Sequence, residues 1–356
     1  MTPTPPVPRP FPLLLAVPLA VLLAACGGGG GTSGPAPLPS PSAVPGATVV
    51  AVVYYDENGN GRADPEEEIR VPDVEVTVGG RSARSEKRTG RAVVTNVPLG
   101  AQTLAIRGET LPPFFTAAQA SVGVQVPMAE GAETMIGLTL PIDNNRTNVY
   151  MAFGDSITRG DGSQTGGYPR DLEARLAAHF GFAIVSNQGR DSTNSFEGAD
   201  RMRRNLIGQR PAYTLILYGT NDWHAPECQT NPRCPTVDNL RGMVRTVKAF
   251  RSLPVLGTIP PTNPALNPED RDTWTKAVND LIRAMAREEG AVVADLYQAF
   301  AGQGDLAGLF TDHVHPNDAG YRIISEAFFE AIAHGGAAPA TAAGPVIFPA
   351  PGTARD

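Results

Sequence analysis

Five residues of this 356-residue chain have the types and order that acyl transfer through a serine requires: Ser156, Gly189, Asn221, Asp312 and His315. A serine hydroxyl is a weak nucleophile at its ordinary pKa and needs a base, an orienting carboxylate and donors for an oxyanion. Ser156 stands in Phe153-Gly154-Asp155-Ser156-Ile157-Thr158, where an apolar run breaks at a glycine. His315, in Thr311-Asp312-His313-Val314-His315-Pro316, is the candidate base for the Ser156 proton. Asp312, three residues earlier in the same loop, can turn back to the imidazole and fix its tautomer. The backbone N–H groups of Ser156 and Gly189, with the side-chain amide of Asn221, are the candidate oxyanion donors.

The elements that must position these residues alternate along the second half of the chain. Strands are predicted at 148–153, 182–186, 213–218, 254–259 and 291–294, and helices near 168–180, 197–207, 237–251, 271–289 and 317–333. The helix from Arg271 puts Trp274, Val278, Leu281, Ile282 and Met285 on one face. Five strand-helix units predict a parallel sheet with helices on both faces and a site at the carboxyl ends of the strands. Ser156 follows the first strand, Asn187-Gln188-Gly189 the second and Gly219-Thr220-Asn221-Asp222 the third, while the Asp312–His315 loop precedes the last helix.

The ordered set of Gly-Asp-Ser, Gly189, Gly-Thr-Asn-Asp and Asp-x-x-His-Pro resembles the SGNH, or GDSL-type, hydrolases, over about Asn148 to His334. The resemblance implies a three-layer flavodoxin-like α/β/α fold and an esterase or lipase activity that needs no catalytic cofactor. It makes Ser156, Gly189, Asn221 and His315 the four eponymous residues, with Asp312 completing the triad. The Gly-x-Ser-x-Gly elbow of α/β-hydrolases is not met, because Thr158 stands where its second glycine would be. A metal reading of Asp312, His313 and His315 lacks a second His/Cys cluster to complete it. Asp155 is expected to hydrogen-bond the turn and Asp222 to brace the Asn221 loop. His179, His224, His313 and His334 are read as ordinary exposed residues, and Trp223 either lines a substrate pocket or packs.

Residues 47–140 read differently, as short β-rich runs separated by turns, which predicts a small antiparallel sandwich. No nucleophile and base pair occurs in them. They do carry Asp56-Glu57-Asn58-Gly59-Asn60-Gly61-Arg62-Ala63-Asp64-Pro65-Glu66-Glu67. With Asp56, Asn58, Asn60, Arg62, Asp64 and Glu67 at the ligand positions and Gly61 at the bend, this matches a calcium loop. The segment resembles the calcium-binding repeats of bacterial surface proteins with a prealbumin-like sandwich; the other reading is an Asx-rich turn satisfied by its own backbone. Residues 141–147 read as a linker.

Residues 1–26 read as an export signal whose Leu-Ala-Ala-Cys end resembles a bacterial lipobox, making Cys26 the acylated residue. A Gly/Pro-rich tether, 27–46, and a disordered Ala/Pro/Gly-rich tail, 335–356, flank the folded parts. Cys228 and Cys234 are expected to pair in an extracytoplasmic compartment. The net charge of −7 and the lack of any Lys/Arg cluster exclude nucleic acid as a partner. The expectation is an exported, lipid-anchored esterase facing the periplasm or cell exterior, acting on short-acyl or acetyl-carbohydrate esters. The alternative is a surface adhesion or carbohydrate-binding lipoprotein whose hydrolase-like domain does not catalyse.

Overall fold

The computed structural model describes residues 46–336, which fall within one compact unit. The expected signal, Cys26, nearly all of the tether and most of the tail lie outside the described residues. The amino-terminal part contains β1 (Ala47–Tyr55), β2 (Glu75–Val78), β3 (Arg81–Arg84), β4 (Arg91–Val97), β5 (Gly100–Ile106), β6 (Thr116–Ala117), β7 (Ser121–Val126) and β8 (Thr134–Thr139). They form two four-stranded sheets, ordered β4-β1-β8-β6 and β3-β2-β5-β7. The alternation of β4, with Ala92, Val94 and Val97 buried between exposed residues, is that of a strand with one face on a core. The sandwich departs from the all-antiparallel expectation at its centre. There β1 and β8 run parallel, Ala51 opposite Thr134 through Tyr55 opposite Leu138. A parallel pair needs a long crossover, and the intervening strands β2 to β7 supply it, so the module opens and closes on neighbouring strands.

The second part contains β9 (Arg146–Gly154), α1 (Ser156–Arg159), α2 (Gly167–Phe180), β10 (Ile184–Gly189), α3 (Ser195–Gln209), β11 (Pro211–Leu217), α4 (Pro226–Gln229) and α5 (Thr236–Ala249). It continues through β12 (Leu253–Gly257), α6 (Glu269–Glu289), β13 (Val292–Ala294), α7 (Leu296–Ala301) and α8 (Asp318–His334). The sheet is parallel, in the order β10-β9-β11-β12-β13. This is the flavodoxin-like winding, whose order reverses between the first and third strands, here β9 and β11. Successive residues of β9 divide between the two faces: Ala152 joins the core with Leu172 and Leu176 of α2 and Phe328 of α8. Met151 and Phe153 join the other, with Met202 of α3, Met243 of α5 and Ile282 of α6. The period of two along a strand thus makes three layers from one sheet.

The first of these cores runs on without a break into the sandwich. Tyr150 stacks on Tyr213 with ring centroids 5.0 Å apart, and Phe114 of the sandwich meets Tyr213 at 6.2 Å. The stretch read as a linker is packed: Ile142 is buried and Asn145 Nδ2 donates to the Phe250 carbonyl at 2.9 Å. Tyr213 lies near the start of β11 and Phe250 just ahead of β12, so these contacts sit toward the amino ends of the strands, away from Ser156.

Candidate active site

Strand β9 ends at Gly154, where an added Cβ would lie 2.0 Å from Thr158 Oγ1 and 2.4 Å from the Leu217 carbonyl. Only glycine lets the chain turn here against β11. Asp155 caps the short helix that follows, its Oδ1 accepting from the Ile157 N–H at 2.9 Å. Ser156 is therefore the first residue of α1, where the N–H has no intrahelical acceptor and can serve an oxyanion. Burial pushes the Asp155 carboxyl up to about 7; the Ile157 N–H opposes this, and the nearby Asp222 charge adds to it.

The Asp-x-x-His spacing closes a tight loop. Thr311 N–H donates to the His315 carbonyl at 2.9 Å. Asp312 Oδ1 accepts from the backbone N–H groups of Val314 and His315 at 2.9 and 2.8 Å, which turns Oδ2 to His315 Nδ1 at 2.7 Å. His315 Nε2 then stands 2.9 Å from Ser156 Oγ. Partial burial would raise the Asp312 carboxyl, but the hydrogen bonds from the His315 ring and the two backbone donors outweigh it and hold the group below its ordinary value. An ionised Asp312 keeps the proton on Nδ1 and leaves Nε2 free to accept from Ser156.

Asn221 is held by one amide N–H, which donates to the Thr193 carbonyl at 2.9 Å, leaving the other for a ligand. Asp222 braces this loop by accepting from Ser195 N–H at 3.0 Å and from the hydroxyls of Ser195 and Thr236. Gly189 departs from its expected role. Its N–H donates to Asn187 Oδ1 at 2.9 Å and so is already engaged. Its lack of a side chain answers to packing instead, since a Cβ there would lie 2.1 Å from Arg159 N. The segment that meets Asn221 lies further along, at Thr193, after Ser192 in the left-handed region with φ 58°.

Several supporting residues escaped the sequence reading. Arg201 is buried, makes no ion pair among the described residues, and donates to the carbonyls of Gly154 and Gln188 at 2.7 and 2.9 Å and to the Tyr218 hydroxyl. Its guanidinium lies 4.0 Å from the centroid of the Phe153 ring. Its signal was a charged residue in the helical register of Gly198, Met202 and Leu206, which α3 buries. Arg271 is also buried and ties Thr220 O, at 3.0 Å, to Asn267 Oδ1, at 3.1 Å. Burial brings it down to about 10. Asn267 Nδ2 in turn donates to the His313 carbonyl at 2.7 Å, so one chain of bonds joins the Asn221 and His315 loops. Trp223 packs edge-on to Trp274 at 5.5 Å.

One histidine read as exposed behaves otherwise: His179 is buried, whereas His334 is exposed as expected and engages Glu330 and Asp73. Cys228 and Cys234 are joined as a disulfide. In the acidic loop, Asp56 and Glu67 are buried. Asp56 accepts from the N–H groups of Asn60 and Gly61, and Glu67 from those of Glu57 and Asp64. Asn58 and Asn60 donate to Asp64 Oδ2 at 2.8 and 2.7 Å, and Asn60 Oδ1 accepts from Arg62 N–H. Burial and then the charges of Asp56, Glu67 and Asp64 push the Tyr54 phenol up to about 12. Asn58 Oδ1 likewise accepts from Asn60 N–H at 2.9 Å, so the carboxylates and amide oxygens of this loop are satisfied by its own N–H groups, as in an Asx-rich turn.

Residues 152–323 match the model of the GDSL-like Lipase/Acylhydrolase family, which supports a GDSL-type hydrolase over that segment. No curated protein matches the chain. Among solved structures, the chain is similar to a lipase/acylhydrolase from Enterococcus faecalis, at 21% identity and TM-score 0.44, over 52% of this chain and 95% of that one. It is similar to the acetylxylan esterase Axe2 from Geobacillus stearothermophilus at 22% identity and TM-score 0.43, over 53% and 95%. An alpha/beta hydrolase enzyme from the metagenome of Lake Arreo, Spain, matches at 24% identity and TM-score 0.43, over 52% and 95%.

Proposed function

We propose that this GDSL-type hydrolase cleaves carboxylic esters through an acyl-serine intermediate, and that its substrates are short-acyl or acetyl-carbohydrate esters. The observation that carries the reading is the unbroken hydrogen-bonded series from Ser156 Oγ through His315 to Asp312, with distances of 2.9 and 2.7 Å. His315 Nε2 takes the hydroxyl proton as Oγ attacks the ester carbonyl, and Asp312 stabilises the imidazolium. Ser156 N–H and the free Asn221 amide hydrogen donate to the oxyanion. The imidazolium then protonates the departing alcohol as the C–O bond breaks. Water, deprotonated by His315, releases the acid and restores Ser156.

A small acyl group is supported by the closeness of the loops. A Cβ on Gly162 would lie 2.6 Å from Thr311 Oγ1 and 3.2 Å from His315 Cβ, so the Gly162 segment packs directly against the loop that carries the base. The test is the native protein and Ser156→Ala against p-nitrophenyl acetate, longer p-nitrophenyl esters and acetylated glycans. Native activity highest on the acetyl compounds and lost in the variant is expected. No native activity, or equal activity in both, ends the enzyme reading in favour of a binding protein.

The acidic loop, in this reading, holds a structural calcium through Asp56, Asn58, Asn60, Asp64, Glu67 and the Arg62 carbonyl. Chelation should lower the unfolding temperature of the native protein and leave Asp56→Asn unmoved; an unchanged native melting curve removes the calcium. Export and acylation at Cys26 belong to the same proposal, resting on the Leu-Ala-Ala-Cys sequence. Cys26→Ala should move the protein from the membrane to the soluble fraction, and a variant that stays membrane-bound would count against the anchor.

A further inference from the structure

At the end of the hydrolase layer opposite Ser156, two helices finish beside the sandwich. His179 lies in the last turn of α2 and His334 in the last turn of α8. Only 2% of His179 is exposed, and neither Nδ1 nor Nε2 has a hydrogen-bond partner. Buried imidazole nitrogens are ordinarily satisfied, so a ring with both left open points to a ligand. Phe180 and Phe329 meet that ring edge-on at 4.6 and 5.1 Å and fix its plane.

Asp73 of the sandwich completes the group: one ligand atom each from Asp73, His179 and His334 lie within 4.8 Å of one another. His334 Nδ1 stands 2.8 Å from Glu330 Oε2, which turns Nε2 toward Asp73 Oδ2 at 3.7 Å. A carboxylate on one ring nitrogen, with the other presented as a ligand, is the usual outer support of a metal-binding histidine. Asp73 is itself held, its N–H donating to Ser85 O at 2.8 Å and its carbonyl accepting from Arg84 Nη1 at 2.6 Å. The two helix carboxyl ends add partial negative charge where a cation would sit. Lys87 is the opposing charge nearby.

We propose that Asp73, His179 and His334 form a zinc-class divalent-metal site that joins the β-sandwich to the hydrolase layer, separate from the catalytic residues. Two imidazoles and one carboxylate suit a borderline transition ion such as Zn²⁺ rather than Ca²⁺ or Mg²⁺, with solvent in the fourth position. The side chains of His334 and Asp73 are 42% and 38% exposed, which leaves that position open to water.

The experiment titrates Zn²⁺ into the tag-free full chain, stripped of metal and held in excess Ca²⁺, against a chromophoric chelator, and follows the unfolding temperature in parallel. One equivalent should bind and raise the unfolding temperature. Glu330→Gln should weaken binding roughly 10- to 100-fold, and His179→Gln and His334→Gln by more than that. His315→Ala should bind zinc like the native protein, which separates this site from the catalytic loop. Should His179→Gln fail to fold, the more exposed His334→Gln decides. No saturable zinc binding by the native chain, or undiminished binding in His334→Gln, overturns the site.

Discussion

Asn221 and Asp155 show at single-residue scale how the surroundings of Ser156 set its chemistry. Asn221 gives one amide hydrogen to Thr193 O, and in the proposed mechanism the other would serve the oxyanion, a contribution made in the transition state. Asn221→Ala should lower kcat by about 10²- to 10³-fold with little change in KM, read from steady-state kinetics on p-nitrophenyl acetate. Asp155 is buried beside Asp222, with a carboxyl pKa raised to about 7. The folded protein therefore keeps a proton that the unfolded chain has released. The stabilisation is full below about pH 4 and is lost as pH rises through about 7. Asp155→Asn can keep the cap on Ile157 without titrating. Its denaturant midpoint should decline less between pH 4 and 7 than that of the native protein, whose slope from this group reaches about 1.4 kcal/mol per pH unit.

At the scale of elements, the catalytic loops depend on the carboxyl ends of β9, β10 and β11 staying in register, and Arg201 of α3 bonds to all three through Gly154 O, Gln188 O and Tyr218 OH. Arg201→Met keeps most of the side-chain volume but removes every donor, so Gly154 O retains only the Arg190 N–H and Gln188 O and the Tyr218 hydroxyl lose the guanidinium. A loss of about 2–4 kcal/mol in chemical denaturation is expected, with the esterase rate falling as the Ser156 turn loosens. An unchanged denaturation midpoint would show that water replaces the guanidinium there.

For the molecule as a whole, the sandwich contacts the amino ends of the strands, so it buttresses the catalytic layer from below and does not cover Ser156. One apolar core spans both parts, through Phe114, Tyr150 and Tyr213. Shared burial couples their stabilities, and thermal unfolding should appear as a single calorimetric transition followed alike by sandwich and hydrolase probes. Two separated transitions would mean that the shared core contributes little.

Hydrophobic period and motif order are local properties of the chain. They sufficed to place five parallel strands with their helices, and they single out Ser156, Asp312 and His315, which the fold joins in one hydrogen-bonded series. The Asp312–His315 contact spans only three residues, so it too could be read from spacing. Other features depend on pairs far apart in sequence, which periodicity does not encode. The parallel match of β1 with β8, the reach of Arg201 to Gly154, the engaged N–H of Gly189 and the meeting of Asp73 with His179 and His334 are of that kind. A histidine at a helix end reads as solvent-facing, and only the packing of α2 against α8 shows His179 buried among Phe180, Phe329 and His334 with Asp73 of the sandwich beside it.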